Sequence, residues 1–98
     1  MPTAKRTAVV LPSLDGRGSI AYDVNTAGVV VGAAEVAGGY RHAVRWVDGR
    51  IEDLGTLGGP NSQAQAIDER GRIVGTAQAA DGSSHAVAWV GGKIRISA

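Results

Sequence analysis

Apolar and polar positions alternate in short runs closed by tight turns, and no window sustains a helical apolar period. Ser19 to Asn25 reads as a strand, ended by Asn25-Thr26-Ala27-Gly28, a turn built on Asn and Gly. Val29 to Ala34 carries no charge, and an unbroken apolar run of about six residues predicts a strand covered on both faces. Gly32 within it predicts close approach of a neighbouring backbone. After a turn at Gly38-Gly39, His42 to Val47 is a further strand, and Asp48-Gly49 is a hairpin signal. Arg50 to Leu54 places Ile51 inward and Arg50 and Glu52 outward, as a strand with one wet face does. The same order returns as Gln63 to Asp68, Ile73 to Ala77, His85 to Val90 and Lys93 to Ile96. Behind a polar lead, Met1 to Arg6, Thr7 to Leu11 is one more strand candidate, ended by Pro12, which cannot donate to a ladder. Gly55 to Asn61 reads as the longest irregular stretch and joins the two sets.

The return is a repeat. Shifted by 43 positions, Ser19 falls on Ser62, Gly32 on Gly75, His42 on His85, Trp46 on Trp89 and Ile51 on Ile94, with no gap from Leu11 to Ala98. The copies run approximately 11–53 and 54–96 within one 98-residue domain. Under the shift Leu11, Leu14 and Gly16 fall on Leu54, Leu57 and Gly59, so the N-terminal segment matches the end of a copy. A period of roughly 20–50 residues marks stacked-repeat or propeller architectures.

The expected fold is therefore all-β, with two four-stranded antiparallel β-propeller-like blades per chain. Charge rises from the second strand to the fourth, as expected when inner strands lie between blades and the outer strand is an edge blunted by charge. About three or more repeats are needed for a stable stack and closed propellers have ~4–8 blades. Two blades thus imply completion into a closed ring by homo-oligomerisation, with a trimer favoured over a dimer or tetramer. The competing architectures are a two-sheet sandwich and a fragment-like chain that needs other partners. Nine strand candidates exceed what two four-stranded blades need, leaving the first or last free to cross to a neighbouring subunit.

Composition narrows the function classes. Ten basic and nine acidic residues are mixed along the chain for a net charge of +1, which favours neither nucleic acid nor a membrane as partner. Cysteine is absent and histidines number two, so disulfides, thiolate metal sites and histidine cages are excluded. Only Ala8 to Pro12 separate Thr7 from Ser13, less than the ~7–15 residue apolar core of a secretory signal, so the expected setting is cytoplasmic.

The strings Gly28-Val-Val-Val-Gly32, His42-Ala43, Trp46, Asp53-Leu-Gly-Thr-Leu-Gly-Gly59 and Ser62-Gln-Ala-Gln-Ala-Ile67 resemble the HAF repeat. This bacterial repeat is named for a His-Ala-Phe tripeptide, in which Val44 and Val87 here replace the Phe. The resemblance covers nearly the whole chain from Leu11 onward. It implies a propeller-like fold and an extracellular setting, and it supplies no catalytic residues.

His42 and His85, Trp46 and Trp89, and Gly32 and Gly75 occupy matched positions, so each pair answers a structural need of the repeat. The tryptophans are expected to fill the core between blades, and the histidines to fix turns. Asp48, Asp68 and Asp81 sit beside turns and serve their geometry. Arg41, Arg45 and Arg50 differ: their counterparts are Ser84, Ala88 and Lys93, so this cluster is the candidate site for an anionic ligand. No calcium loop, nucleophile elbow or phosphate loop is present, and no catalytic residue, metal or cofactor is indicated. The expected function is a non-catalytic binding or scaffold module presenting Pro12–Gly18 and Gly55–Asn61 on one face of a ring. A small carbohydrate-binding oligomer is the alternative, and an enzyme has least support. Expected partners are further copies of the chain and a protein or glycan ligand.

Overall fold

A computed structural model of the chain describes residues 11–14 and 17–96. Its strands are β1 (Ser19–Val24), β2 (Val30–Glu35), β3 (Arg41–Val47), β4 (Arg50–Gly55), β5 (Gly58–Ile67), β6 (Ile73–Ala79), β7 (Ser84–Val90) and β8 (Lys93–Ile96). They form two four-stranded antiparallel meanders, β1-β2-β3-β4 and β5-β6-β7-β8. Helix among the described residues is confined to a single turn, Ala37–Gly39. Of the expected first strand, Thr7 to Val10 lie outside the described residues, as does the lead Met1 to Arg6, and Leu11 belongs to no strand.

The two sheets agree residue by residue. Gly32 pairs with Val44 in the first and Gly75 with Val87 in the second, while Val30–Trp46 matches Ile73–Trp89. The β3–β4 hairpin turns through Asp48 (φ 52°) and Gly49 (φ 77°), and the β7–β8 hairpin through Gly91 (φ 60°) and Gly92 (φ 81°). Positive φ at both central residues gives the turn whose twist suits a two-residue hairpin. The β1–β2 register slips between Ala21 and Asp23, and the β5–β6 register slips between Ala64 and Ala66. Opposite each bulge stands a glycine. A methyl on Gly32 would overlap the Ile20 carbonyl oxygen, and one on Gly75 the Gln63 carbonyl oxygen. The close approach expected at Gly32 is therefore to its own sheet partner, β1.

One expectation is corrected. Gly55–Asn61 is not an irregular loop: β4 ends at Gly55, and β5 already begins at Gly58. The Thr56 hydroxyl donates to the Gly59 carbonyl (2.8 Å) and accepts from the Gly58 amide (3.1 Å). These side-chain bonds turn the chain within two residues. The β5–β6 register then shifts between Gly58 and Ser62, so Pro60 falls where the ladder is already interrupted.

How the sheets meet decides the architecture. The main core cluster takes Val31 and Ala43 from the first sheet but Ala77, Val87 and Trp89 from the second. The first-sheet counterparts of those second-sheet residues, Ala34, Val44 and Trp46, point the other way and form a separate cluster with Leu11 and Leu14. Back therefore packs on front. Two equivalent sheets in a symmetric sandwich would bury the same face on each, whereas a head-to-tail contact uses different faces and can propagate. β2 is consequently dry on both sides, with Val31, Ala33 and Ala34 all at 0% exposure, as an uncharged run predicts.

Polar bonds fasten the joint, those of Asn25 and Thr26 reaching residues one period away. Asn25 Nδ2 donates to the Asp68 carbonyl (3.1 Å), and the Thr26 amide donates to Glu69 (3.0 Å), with the Thr26 hydroxyl on the same carboxylate. Asp23 accepts from the Ile67 amide (2.9 Å). Trp89 Nε1 donates to the Leu54 carbonyl across the joint (2.9 Å), and Trp46 Nε1 donates to the Pro12 carbonyl (2.7 Å). Residues 11–14 thus treat the first sheet as residues 54–57 treat the second.

Candidate functional site

The three arginines do not converge. Arg41 opens β3 and Arg50 follows its far end, where it pairs with Val47, so the two stand about 20 Å apart at ~3.3 Å per residue. Arg45 is held by Glu52 (2.6 Å) across the hairpin, and its Nε is buried without a partner. Arg50 lies in a shallow groove beside Asp48 and Glu52, whose charges oppose an anion. The expected anion cluster is therefore corrected: an antiparallel hairpin carries its two ends apart, and two of the three arginines sit beside acids.

Arg41 alone reaches a polar cavity. Its backbone amide donates to Asn61 Oδ1 (2.9 Å), and Asn61 Nδ2 donates to Gln78 Oε1 (3.0 Å). Around these lies a cavity of about 200 Å³, lined also by Gln63, Thr76 and Ser84. It sits where the start of β3 meets the second sheet, and its amides and hydroxyls are suited to a small polyhydroxylated or carboxylated ligand. The same positions one period earlier line a second cavity of about 210 Å³, with Gly18, Ile20 and Glu35 in place of Asn61, Gln63 and Gln78. One location thus recurs with two chemistries.

The histidines also differ between copies. His42 Nδ1 lies 2.9 Å from Asp53 Oδ2, and Asp53 Oδ1 accepts from the Gly55 amide (2.8 Å). The counterpart of Asp53 is Ile96, so His85 instead meets the Ser83 hydroxyl (3.0 Å) in the Asp81–Ser83 turn. His85 fixes a turn, while His42 ties β3 to the end of β4. The acidic residues serve the turns. The Arg72 amide (2.9 Å), with the Arg72 guanidinium (2.7 Å) and the Arg70 amide (2.9 Å), holds the Asp68 carboxyl below its ordinary value. The Ser83 hydroxyl (2.5 Å) and amide (2.9 Å) do the same for Asp81.

Asn61, Gln78 and Asp53 are absent from the sequence expectations, which took only the charged arginines from the positions where the copies differ. Their signal was the same: each stands where the other copy has an unlike residue, Gly18, Glu35 and Ile96. Comparison with protein-family models, with curated proteins and with solved structures finds no match for this chain. Among the described residues no helix is long and apolar enough to cross a membrane.

Proposed function

We propose that this chain is a non-catalytic propeller module that self-associates into a closed ring and serves as a binding or scaffold protein. The observation that carries the proposal is the back-on-front packing of its two matched sheets, which leaves one front and one back without a sheet partner. Head-to-tail contacts of this kind close into a ring when their rotation permits and otherwise run on as a filament. The resemblance to the HAF repeat supports the same reading. So does the use made of the residues that the repeat keeps: Trp46 and Trp89 are 2% and 1% exposed within the packing, and Gly32 and Gly75 admit their neighbouring strands. Rings of two, three or four copies supply four, six or eight blades, within the ~4–8 that close, and the trimer is the preferred form.

A second reading, carbohydrate binding, is favoured by the cavity of Arg41, Asn61, Gln63, Thr76, Gln78 and Ser84, whose neutral amides and hydroxyls suit sugar hydroxyls. Sedimentation velocity over a dilution series tests the assembly; a single 10.0 kDa species at every concentration overturns it. A glycan array tests the second reading. Retention that disappears in Gln78→Ala supports it, and an array without hits removes it.

A further inference from the structure

The joint between the two sheets is a template for the joint between two chains. Some positions buried at the joint on one sheet are bare on the other, although Ala34, Val44 and Trp46, the counterparts of Ala77, Val87 and Trp89, are covered by Leu11 and Leu14. Val31 is 0% exposed beneath the second sheet, whereas its counterpart Val74 is 51% exposed. Ala64 is 0% and Ser62 4% exposed, whereas their counterparts Ala21 and Ser19 are exposed. Both bare surfaces are concave and largely apolar. One is a groove of about 510 Å³ on the second sheet, between Ala66, Ile67, Val74, Ala88 and Val90, with the Asp68–Arg72 ion pair at its edge. The other is a groove of about 400 Å³ on the first sheet, between Leu11, Ala21, Tyr22, Val24 and Val30. Shifted back one period, Ala66, Val74, Ala88 and Val90 of the first groove fall on Asp23, Val31, Arg45 and Val47, the face of the first sheet that carries Val31 and Ala43 into the joint. Shifted forward, Ala21 and Val30 of the second groove fall on Ala64 and Ile73, buried on the side of the second sheet that meets the first, and Leu11 falls on Leu54, which packs there from the first sheet.

We infer that a second copy of this chain docks its Ala21–Val24 groove onto the Val74–Val90 groove in the register already used within the chain. This deepens, and rests on, the self-assembly reading above. Residue pairs across the new joint follow by adding one period to the near side and subtracting it from the far side. Within the chain the Ser62 hydroxyl accepts from the Ala43 amide (2.8 Å) and donates to the Gly55 carbonyl (2.7 Å). Between chains Ser19 of one copy takes the place of Ser62 and meets Ala86 of the other, the counterpart of Ala43.

The template also says which joint is weaker. Ala66 stands where Asp23 stands and has no side-chain oxygen to accept from an amide, and Asp68 stands where Asn25 stands and has no side-chain N–H to donate. The interchain joint loses these polar bonds and keeps the apolar contact, so dilution parts the chains before the sheets within a chain separate.

The natural absence of cysteine allows a direct test. In a Ser19→Cys/Ala86→Cys double variant under mild oxidation, we expect covalent oligomers on a non-reducing gel that end at the copy number of the ring. Neither single variant yields them. Ala43→Cys/Ser62→Cys, in contact within the chain, should close an intrachain bridge and serves as the positive control. Ser19 and Ala86 are exposed, so their replacement leaves the fold intact by circular dichroism. Val74→Arg should shift the sedimentation of the uncross-linked protein to the single chain. If the wild type assembles but the double variant does not cross-link while the control bridge closes, the register is wrong and self-assembly stands. If the wild type sediments as one chain at every concentration, both proposals fall.

Discussion

Gly75→Ala measures how tightly the bulged strands are fitted. A methyl there would overlap the Gln63 carbonyl oxygen and lie 3.0 Å from both the Gln63 carbonyl carbon and Ala64 Cα, against the ~3.5–4.0 Å at which carbon atoms rest. β5 would have to withdraw by about 1 Å, stretching ladder bonds on both sides of the Ala64–Ala66 bulge. Alanine gains ~0.4–1 kcal/mol by restricting the unfolded chain. Overpacking in a closed interior costs ~1–3 kcal/mol and more where backbone must move; here the obstacle is a carbonyl in a strand rather than a side-chain tip. The net expectation is a loss of about 2–3 kcal/mol, which lowers the melting temperature of a domain this size by roughly 10–20 °C. Gly32→Ala should cost the same within ~1 kcal/mol, because its methyl would meet the Ile20 carbonyl oxygen and the Ala21 Cα (2.9 Å) in the matching place. Urea unfolding followed by far-UV circular dichroism reads both. A Gly75→Ala stability within ~0.5 kcal/mol of wild type would refute the close fit, and a large cost at only one glycine would refute the equivalence of the copies.

Other outcomes follow from the joint and the turns. Ser62→Ala leaves a buried amide and carbonyl unpaired and should cost ~1–3 kcal/mol at any protein concentration, whereas Ser19→Ala should matter only where chains are assembled; unfolding at two concentrations separates them. Trp89→Phe removes the bond to the Leu54 carbonyl and should cost ~1–3 kcal/mol, less than the ~3–5 kcal/mol of Trp89→Ala; equal losses in calorimetry would deny the bond any role. Asp68 and Asp81 have folded-state pKa values below the ordinary 3.8. A depressed carboxyl pKa contributes stability that is present above the unfolded value and lost as pH falls through the folded one. Stability should therefore decline below about pH 4, and the Asp68→Asn/Asp81→Asn variant should show a shallower acid limb in a pH series of melting curves.

Much of the fold was legible because backbone demands leave sequence marks. Asp48-Gly49 announced a hairpin since positive φ at both central residues is costly for most side chains. The uncharged run at Val29 to Ala34 announced a strand dry on both faces, which the neighbouring sheet and residues 11–14 explain. The Gly55–Asn61 connection misled because its glycines and proline signal a loop by composition, while Thr56 turns the chain with side-chain bonds that composition does not reveal. The arginine cluster misled for a different reason. Nearness in sequence is not nearness in a hairpin, and Arg41 and Arg50 end on opposite sides of the sheet's length. The clasp of Asn25 and Thr26 on Asp68 and Glu69 was hidden because its bonds fall between unlike residues at matched positions, which a search for identity passes over.

If each sheet is one member of a head-to-tail series that the chain begins and its copies complete, the mass in solution is a multiple of the single chain's. Static light scattering coupled to gel filtration tests it most directly, since it reads mass without assuming shape. The expected result is a single species at two, three or four times 10.0 kDa, with three the favoured value. A well-folded species at 10.0 kDa over the whole accessible concentration range would contradict it.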